Sequence, residues 1–268
     1  SFMVDLFRGG SNDDELSLVS RTTNHYRPNI WTFDSQTPTT SEYFGSTSSS
    51  YMNNVDAVHI NGTTTVVTNR YVEERTATQT YTQATTVLDL GSTYDVENYF
   101  SSIDIDDSGR IYVVDGDYRL HYQSTADSSF SILQLPHASD HDGRMHLEVE
   151  PDGTVHIAYW YNSILYHRTS DLPQSGSRSW NPAVTVYSAE NRAPYSFDLE
   201  VDSNGIAHIG FISSNTDSYA MIYINNTGGS FSSSNAIVDN LPNTYDNYLD
   251  LDLDSTGMAH VTWTDKSN

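Results

Sequence analysis

The chain has 268 residues and no cysteine, and its 35 acidic against 12 basic residues give a formal net charge of −23 at pH 7. Without cysteine there is neither a disulfide framework nor a thiolate metal site, so the fold is held by packing and strand pairing. The negative field repels phosphate backbones and anionic lipid, which excludes nucleic acid as a partner. No apolar run reaches the roughly 18 residues of a membrane span, so no membrane insertion is expected.

Lys266 is the single lysine. An Asp-rich, Lys-poor surface fits a saline medium, where salt screens self-repulsion, and this points to an extracellular or cell-surface protein. No basic-then-apolar leader opens the chain; Ser1 and Phe2 read as a possible remnant, and residues 1–268 as a single domain cut from a larger protein.

Taken in order, "ELSLVSRTT" and "NIWTF" near the start read as two strands without a hairpin of their own. A faint hairpin follows, "NVDAVHINGTTTVVT", turning at Gly62. Four clear copies come next: "SSIDIDDSGRIYVVD" at Gly109, "MHLEVEPDGTVHIAYW" at Gly153, "FDLEVDSNGIAHIGF" at Gly205 and "LDLDLDSTGMAHVTW" at Gly257. The spacing of about 44 to 52 residues is that of one four-stranded propeller blade. Third strands follow the hairpins ("RLHYQST", "ILYHRTS", "AMIYINN"), then fourth strands ("FSILQLP", "PAVTVYS").

The expected fold is therefore an all-β propeller of five four-stranded blades. The two N-terminal strands would complete the last hairpin and close the ring by strand exchange. A surplus of residues between Gly257 and Gly62 leaves "MVDLF" as an extra strand, or as part of a degenerate sixth blade, the alternative count.

Counting back from the four clear glycines, position −3 is Asp106, Glu150, Asp202 or Asp254, and position −5 is Asp104, Glu148, Glu200 or Asp252. Aliphatics fill −4 and −6, so the acids share one face of the first strand. The −3 acid can accept amide bonds inside the turn while glycine supplies a positive φ. The −5 acids lie out of reach of the turn. On innermost strands they would approach one another around a channel, and Asp104, Glu148, Glu200 and Asp252 are the candidate metal ligands, with calcium the expected ion. His156, His208 and His260 stand three residues after their glycines, where bonding to a neighbouring blade or to the turn acid is expected.

Function on a propeller usually sits on the loops at the channel mouth. The segment "PHASDHDGRMH" crowds His137, Asp140, His141, Asp142, Arg144 and His146, and "YWYN" is read as the loop facing it. Tyr99, Trp160, Tyr161, Tyr195 and Tyr248 suit stacking on sugar rings, with His141, Asp142 and Arg144 meeting the hydroxyls. The main expectation is a non-catalytic recognition or adhesion module whose partner is a glycan or a cell-surface protein.

Residues 140–172, "DHDGRMHLEVEPDGTVHIAYWYNSILYHRTSDL", resemble the BNR-type repeats of sialidase-like propellers, the group that includes propeller polysaccharide lyases. That resemblance implies proton abstraction by His and Tyr beside an Arg that neutralises a uronate, hence His141, Tyr161 and Arg144 as catalytic candidates. The alternative expectation is thus a polysaccharide-active enzyme, a lyase or a glycosidase.

Overall fold

The computed structural model describes residues 4–8, 16–21, 28–34, 37–43, 55–60, 63–68, 71–76, 85–90, 101–125, 129–135, 145–162, 164–170, 178–188, 196–214, 219–231, 235–241 and 249–263. They form five antiparallel sheets of four strands and one pair. The first sheet holds β1 (Val4–Arg8), β2 (Leu16–Arg21), β3 (Pro28–Asp34) and β4 (Thr37–Tyr43). The second holds β5 (Val55–Ile60), β6 (Thr63–Thr68), β7 (Tyr71–Thr76) and β8 (Thr85–Asp89), and the third β9 (Ser102–Ile105), β10 (Ile111–Asp115), β11 (Arg119–Gln123) and β12 (Phe130–Gln134). The fourth comprises β13 (Met145–Val149), β14 (Val155–Tyr161), β15 (Ile164–Ser170) and β16 (Val184–Ser188). The fifth comprises β17 (Ser196–Val201), β18 (Ala207–Ser214), β19 (Tyr219–Asn225) and β20 (Asn235–Leu241). The final pair is β21 (Leu249–Leu253) and β22 (Ala259–Trp263).

Every sheet is a meander in which sequential strands pair, and the chain packs as two compact units, Ser1–Arg144 and Met145–Asn268. Within the first unit the leading strands β1, β5 and β9 lie side by side; within the second β13, β17 and β21 do the same. The chain is an all-β protein built of propeller blades.

Burial follows strand chemistry. Middle strands, covered on both faces, read as continuous β-branched and aromatic runs: β10, "IYVVD", is buried throughout and β14, "VHIAYWY", all but its last residue. Innermost strands such as β21 alternate instead, so that Leu249 and Leu251 are buried while Asp250 and Asp252, each following one of them, are exposed. The cores lie between successive sheets. In the first unit Val67, Val72, Ile103, Ile111 and Val113 pack together; in the second Trp160, Phe197, Leu199, Ile209 and Phe211 form one cluster and Ile212, Met221, Leu249 and Leu251 another. Gly210 on β18 belongs to this packing, since a Cβ there would stand 3.1 Å from Leu249 Cδ2.

The expected five-bladed closure by strand exchange is corrected by this topology. The N-terminal strands β2 and β3 are the inner members of their own sheet, between β1 and β4, and do not extend the β21–β22 pair. The physical reason is β1 itself: "VDLFR" pairs along its whole length with β2, giving β2 and β3 a leading strand of their own. Gly9 and Gly10 follow it in the sequence, but the positions three before them are Leu6 and Phe7 and not acids, so the count of acid-marked hairpins passes over it.

Candidate functional site

The recurrent acid and ring are one local device. Asp106 Oδ1 accepts the amides of Ser108 (2.9 Å) and Arg110 (3.0 Å), Gly109 N–H donates to the Asp106 carbonyl (2.8 Å), and the Tyr112 hydroxyl donates to Oδ2 (3.0 Å). Asp254 repeats this with Thr256 N (2.8 Å), Met258 N (3.0 Å) and His260 Nε2 (3.2 Å). Asp202 takes Asn204 N and Ile206 N at 2.8 and 2.9 Å, with His208 Nε2 at 3.8 Å. In the copy with a longer acid, Glu150 reaches His156 Nε2 at 2.8 Å and Asp152 takes the Thr154 amide instead. The third residue after each acid is a glycine with φ between 73° and 91°, a conformation costly for side chains with a Cβ. These carboxylates are turn acceptors. Asp254 is held below the ordinary carboxylate range by its bonds from Thr256, Met258 and His260. In Asp202, burial works to raise the pKa, but amide and side-chain bonds outweigh it and the net direction is down.

Among the described residues, a device of the same form also stands between a second and a third strand. Asp115 Oδ1 accepts Asp117 N (3.0 Å) and Arg119 N (3.1 Å), Tyr118 takes the left-handed position at φ 58°, and His121 Nε2 meets Oδ2 at 2.7 Å. Burial of Asp115 opposes its ionisation, yet the hydrogen bonds and charges of His121 and Arg119 prevail and lower its pKa.

Four acids named from the sequence stand apart from the turns. Strand register puts Asp104 across from Tyr112, Glu148 from His156, Glu200 from His208 and Asp252 from His260. Asp104 Oδ1 accepts the amide of Ile105 at 2.7 Å. Among the described residues no group of three or more His, Asp or Glu is gathered closely enough to hold a metal ion.

A different constellation joins the innermost strands of the second unit. Asp198, on β17, accepts its neighbour's amide, Leu199 N, on Oδ1 at 2.9 Å and the Leu251 amide of β21 on Oδ2 at 2.9 Å. His146 Nδ1, from β13, also meets Oδ1 at 2.9 Å, and the His146 ring stands edge-on to Phe197. Asp250 of β21 hydrogen-bonds to Asp198. Although Asp250 as a residue is exposed, desolvation of its carboxyl and the negative charge of Asp198, with a smaller contribution from Asp252, push its pKa up to about 7; His146 opposes them. The result is a carboxyl group on the solvent side that is about half protonated near neutrality, seated on a carboxylate whose own oxygens are engaged by two amides and an imidazole.

Asp198 and Asp250 occupy position −7 from Gly205 and Gly257, and His146 the same position from Gly153. Continuing the −3, −5 alternation by one more pair would have marked them. Asp56 in the first unit makes an equivalent bridge, accepting Ala57 N at 2.7 Å and Ile103 N of β9 at 2.9 Å.

Of the expected ligand-binding residues, Tyr99, His141, Asp142, Arg144, Tyr195 and Tyr248 lie outside the described residues, as do His137 and Asp140. Trp160 is corrected. It lies within β14 and not in a loop, is 4% exposed, and packs against Phe197 and Phe211, because a middle strand is covered on both faces and leaves no ring for a sugar to stack on. Tyr161, the last residue of β14, is partly exposed.

No family model matches the chain, and no curated protein matches it either. Solved structures resemble it distantly. An alpha-L-arabinofuranosidase from Clostridium thermocellum ATCC 27405 aligns with a TM-score of 0.46 and 11% identity, over 88% of this chain and 95% of that one. An exo-beta-1,3-galactanase from Clostridium thermocellum aligns at 0.45 and 10%, over 80% and 54%. Oligopeptidase B from Trypanosoma brucei aligns at 0.43 and 8%, over 100% of this chain and 46% of that one. Similarity at this level assigns no activity. What stands of the sialidase-like resemblance is the propeller fold, carried by the strand topology, and not membership of that group.

Proposed function

We propose that the chain is a glycan-recognition propeller of a protein exposed to a saline medium, and that it binds a neutral sugar on the inner-strand face formed by His146, Asp250 and Asp252. One observation carries the reading: Asp198 is saturated by its own partners, so it orients His146 and Asp250 while these, with the exposed Asp252, face solvent. A carboxyl that holds a proton can donate to one sugar hydroxyl, while the imidazole and carboxyl groups beside it can bond to others. The net charge of −23 disfavours polyuronates, which leaves uncharged sugars as the class. Titration calorimetry against neutral oligosaccharides in molar sodium chloride tests it. Binding that is lost in Asp250→Ala supports the reading, whereas equal affinity in that variant refutes this face as the site.

A hydrolytic reading is favoured by a single feature, the retained proton of Asp250, which is what a general acid requires. Glycosidase carboxyl pairs stand about 5 to 10 Å apart, while Asp198 and Asp250 are in hydrogen-bond contact, so a hydrolase would need Asp252 or another acid as the second group. Release of new reducing ends, abolished by Asp250→Asn, would replace recognition by catalysis as the function.

A further inference from the structure

Inside the fourth sheet a carboxylate and two imidazoles form a chain that takes no part in the inner-strand face. His156 Nε2 lies 2.8 Å from Glu150 Oε1, and His156 Nδ1 lies 3.2 Å from His167 Nε2. Both histidines are 4% exposed. They project from the same face of neighbouring strands, since His156 of β14 pairs with Thr169 and His167 lies two residues before it on β15. The geometry permits one neutral arrangement: His156 Nε2–H donates to Glu150, and His156 Nδ1 accepts the Nε2–H of His167. Each contact then contains one proton. The chain links the hairpin turn of β13 and β14 to β15, and Phe231 closes it edge-on against His167.

We propose that Glu150, His156 and His167 form an acid-released latch, in which protonation of both imidazoles sets two N–H donors against each other and frees β15 from the β13–β14 hairpin. A first proton can be accommodated: His156 becomes an imidazolium paired with Glu150, and His167 shifts its hydrogen to Nδ1 so that Nε2 accepts. A second proton, on His167, leaves no acceptor between the rings. Glu150 and Asp152 act on His156 from the turn, Glu148 stands across from it on β13, and each imidazole faces the other.

The energetics run in the direction the geometry requires. Burial, followed by the charge of His156, lowers the His167 pKa from 6.5 to about 3. Burial also lowers His156, against the opposing pull of Glu150 and Asp152. A histidine whose folded pKa is depressed supports the fold fully above about pH 6.5. That support is lost as pH falls toward the folded value, because only the unfolded chain takes the proton. Between pH 7.5 and pH 4, His167 alone shifts the folding equilibrium roughly 300-fold toward the unfolded chain.

The test is urea denaturation of the whole chain at pH 7.5, 6, 5 and 4 in molar sodium chloride, for the native sequence and for His167→Gln, whose amide can donate to His156 Nδ1 but cannot be protonated. The native chain is expected to lose folding equilibrium steeply with acid, and the variant to lose about one proton's worth less per pH unit. Imidazole nitrogen shifts in the native chain give an answer that does not depend on the variant folding. A His167 ring that stays neutral well below pH 6.5 and takes its proton only together with loss of the β14–β15 amide pairing supports the latch, and one that titrates near 6.5 with that pairing intact overturns it, as do parallel pH profiles for the two chains.

Discussion

Replacing Asp198 by alanine removes the acceptor shared by two buried amides. Leu199 and Leu251 are 1% and 2% exposed, and their N–H groups end on Asp198 at 2.9 Å each. An amide stranded in a buried site costs about 1–3 kcal/mol, so two would cost about 2–6, and His146 loses its carboxylate partner as well. Against this, Asp250 is relieved of the negative charge that helps to raise its pKa. A net loss of about 3 kcal/mol is expected. It should be measured by urea denaturation at pH 7.5, where the slope of the transition shows whether the unfolded state has changed. Asp198→Asn keeps the shape and one acceptor and should cost about 1–2 kcal/mol, since its amide nitrogen would face the Leu251 donor. In that variant the carboxyl carbon resonance of Asp250 should titrate below 7. If Asp198→Ala loses under about 0.5 kcal/mol, or if Asp250 titrates unchanged in Asp198→Asn, the carboxylate is not the anchor of this face.

Asp56→Ala in the first unit removes a bridge of the same form, to Ala57 and Ile103, and should destabilise by a similar amount in denaturant titrations. Gly210→Ala places a methyl group 3.1 Å from Leu249 Cδ2 and should cost about 1–3 kcal/mol by overpacking; an unchanged urea midpoint would show that Leu249 yields freely. Melting temperature should rise from low to molar sodium chloride as the charge of −23 is screened, and a flat series would mean that the acids are internally compensated. Calcium at matched ionic strength probes Asp104, Glu148, Glu200 and Asp252: a shared ion would raise the melting point above that in sodium, and less so in Asp252→Asn.

How much of this was legible in the sequence depended on whether cause and effect were close along the chain. The hairpins were, because turn glycine, acid and ring lie within seven residues and bond to one another. β1 was legible only as the alternative, since "MVDLF" reads as an extra strand or part of a sixth blade but lacks the acid and glycine signature that marks the other hairpins. Trp160 misled because an aromatic-rich run looks the same whether it lines a loop or fills a strand covered on both faces; only the neighbouring sheets decide. The proton on Asp250 was out of reach for a related reason. It depends on desolvation and on Asp198, with His146 opposing, and these two residues approach from strands about 50 and 100 residues away in the chain. Acidity also pulls two ways: a raised Asp250 favours the fold as pH falls from about 7 toward 4, while the lowered His156, His167 and His208 disfavour it over the same range.

The turn device has a further consequence for how the chain finds its alignment. A strand whose residues alternate Asp and Leu, as β21 does, can slide by two positions and still present aliphatic side chains to the core, so hydrophobic pattern alone leaves its register degenerate. The carboxylate removes that freedom. It measures distance along its own hairpin, reading amides two and four residues on and a ring six residues on, and a two-residue slip would miss all three at once. The Asp115 copy shows that the ruler works wherever two adjacent strands need it, whichever strands they are. Each of the four clear hairpins therefore carries its own alignment mark, and the loops and outer strands around them are left to vary without the inner strands losing step.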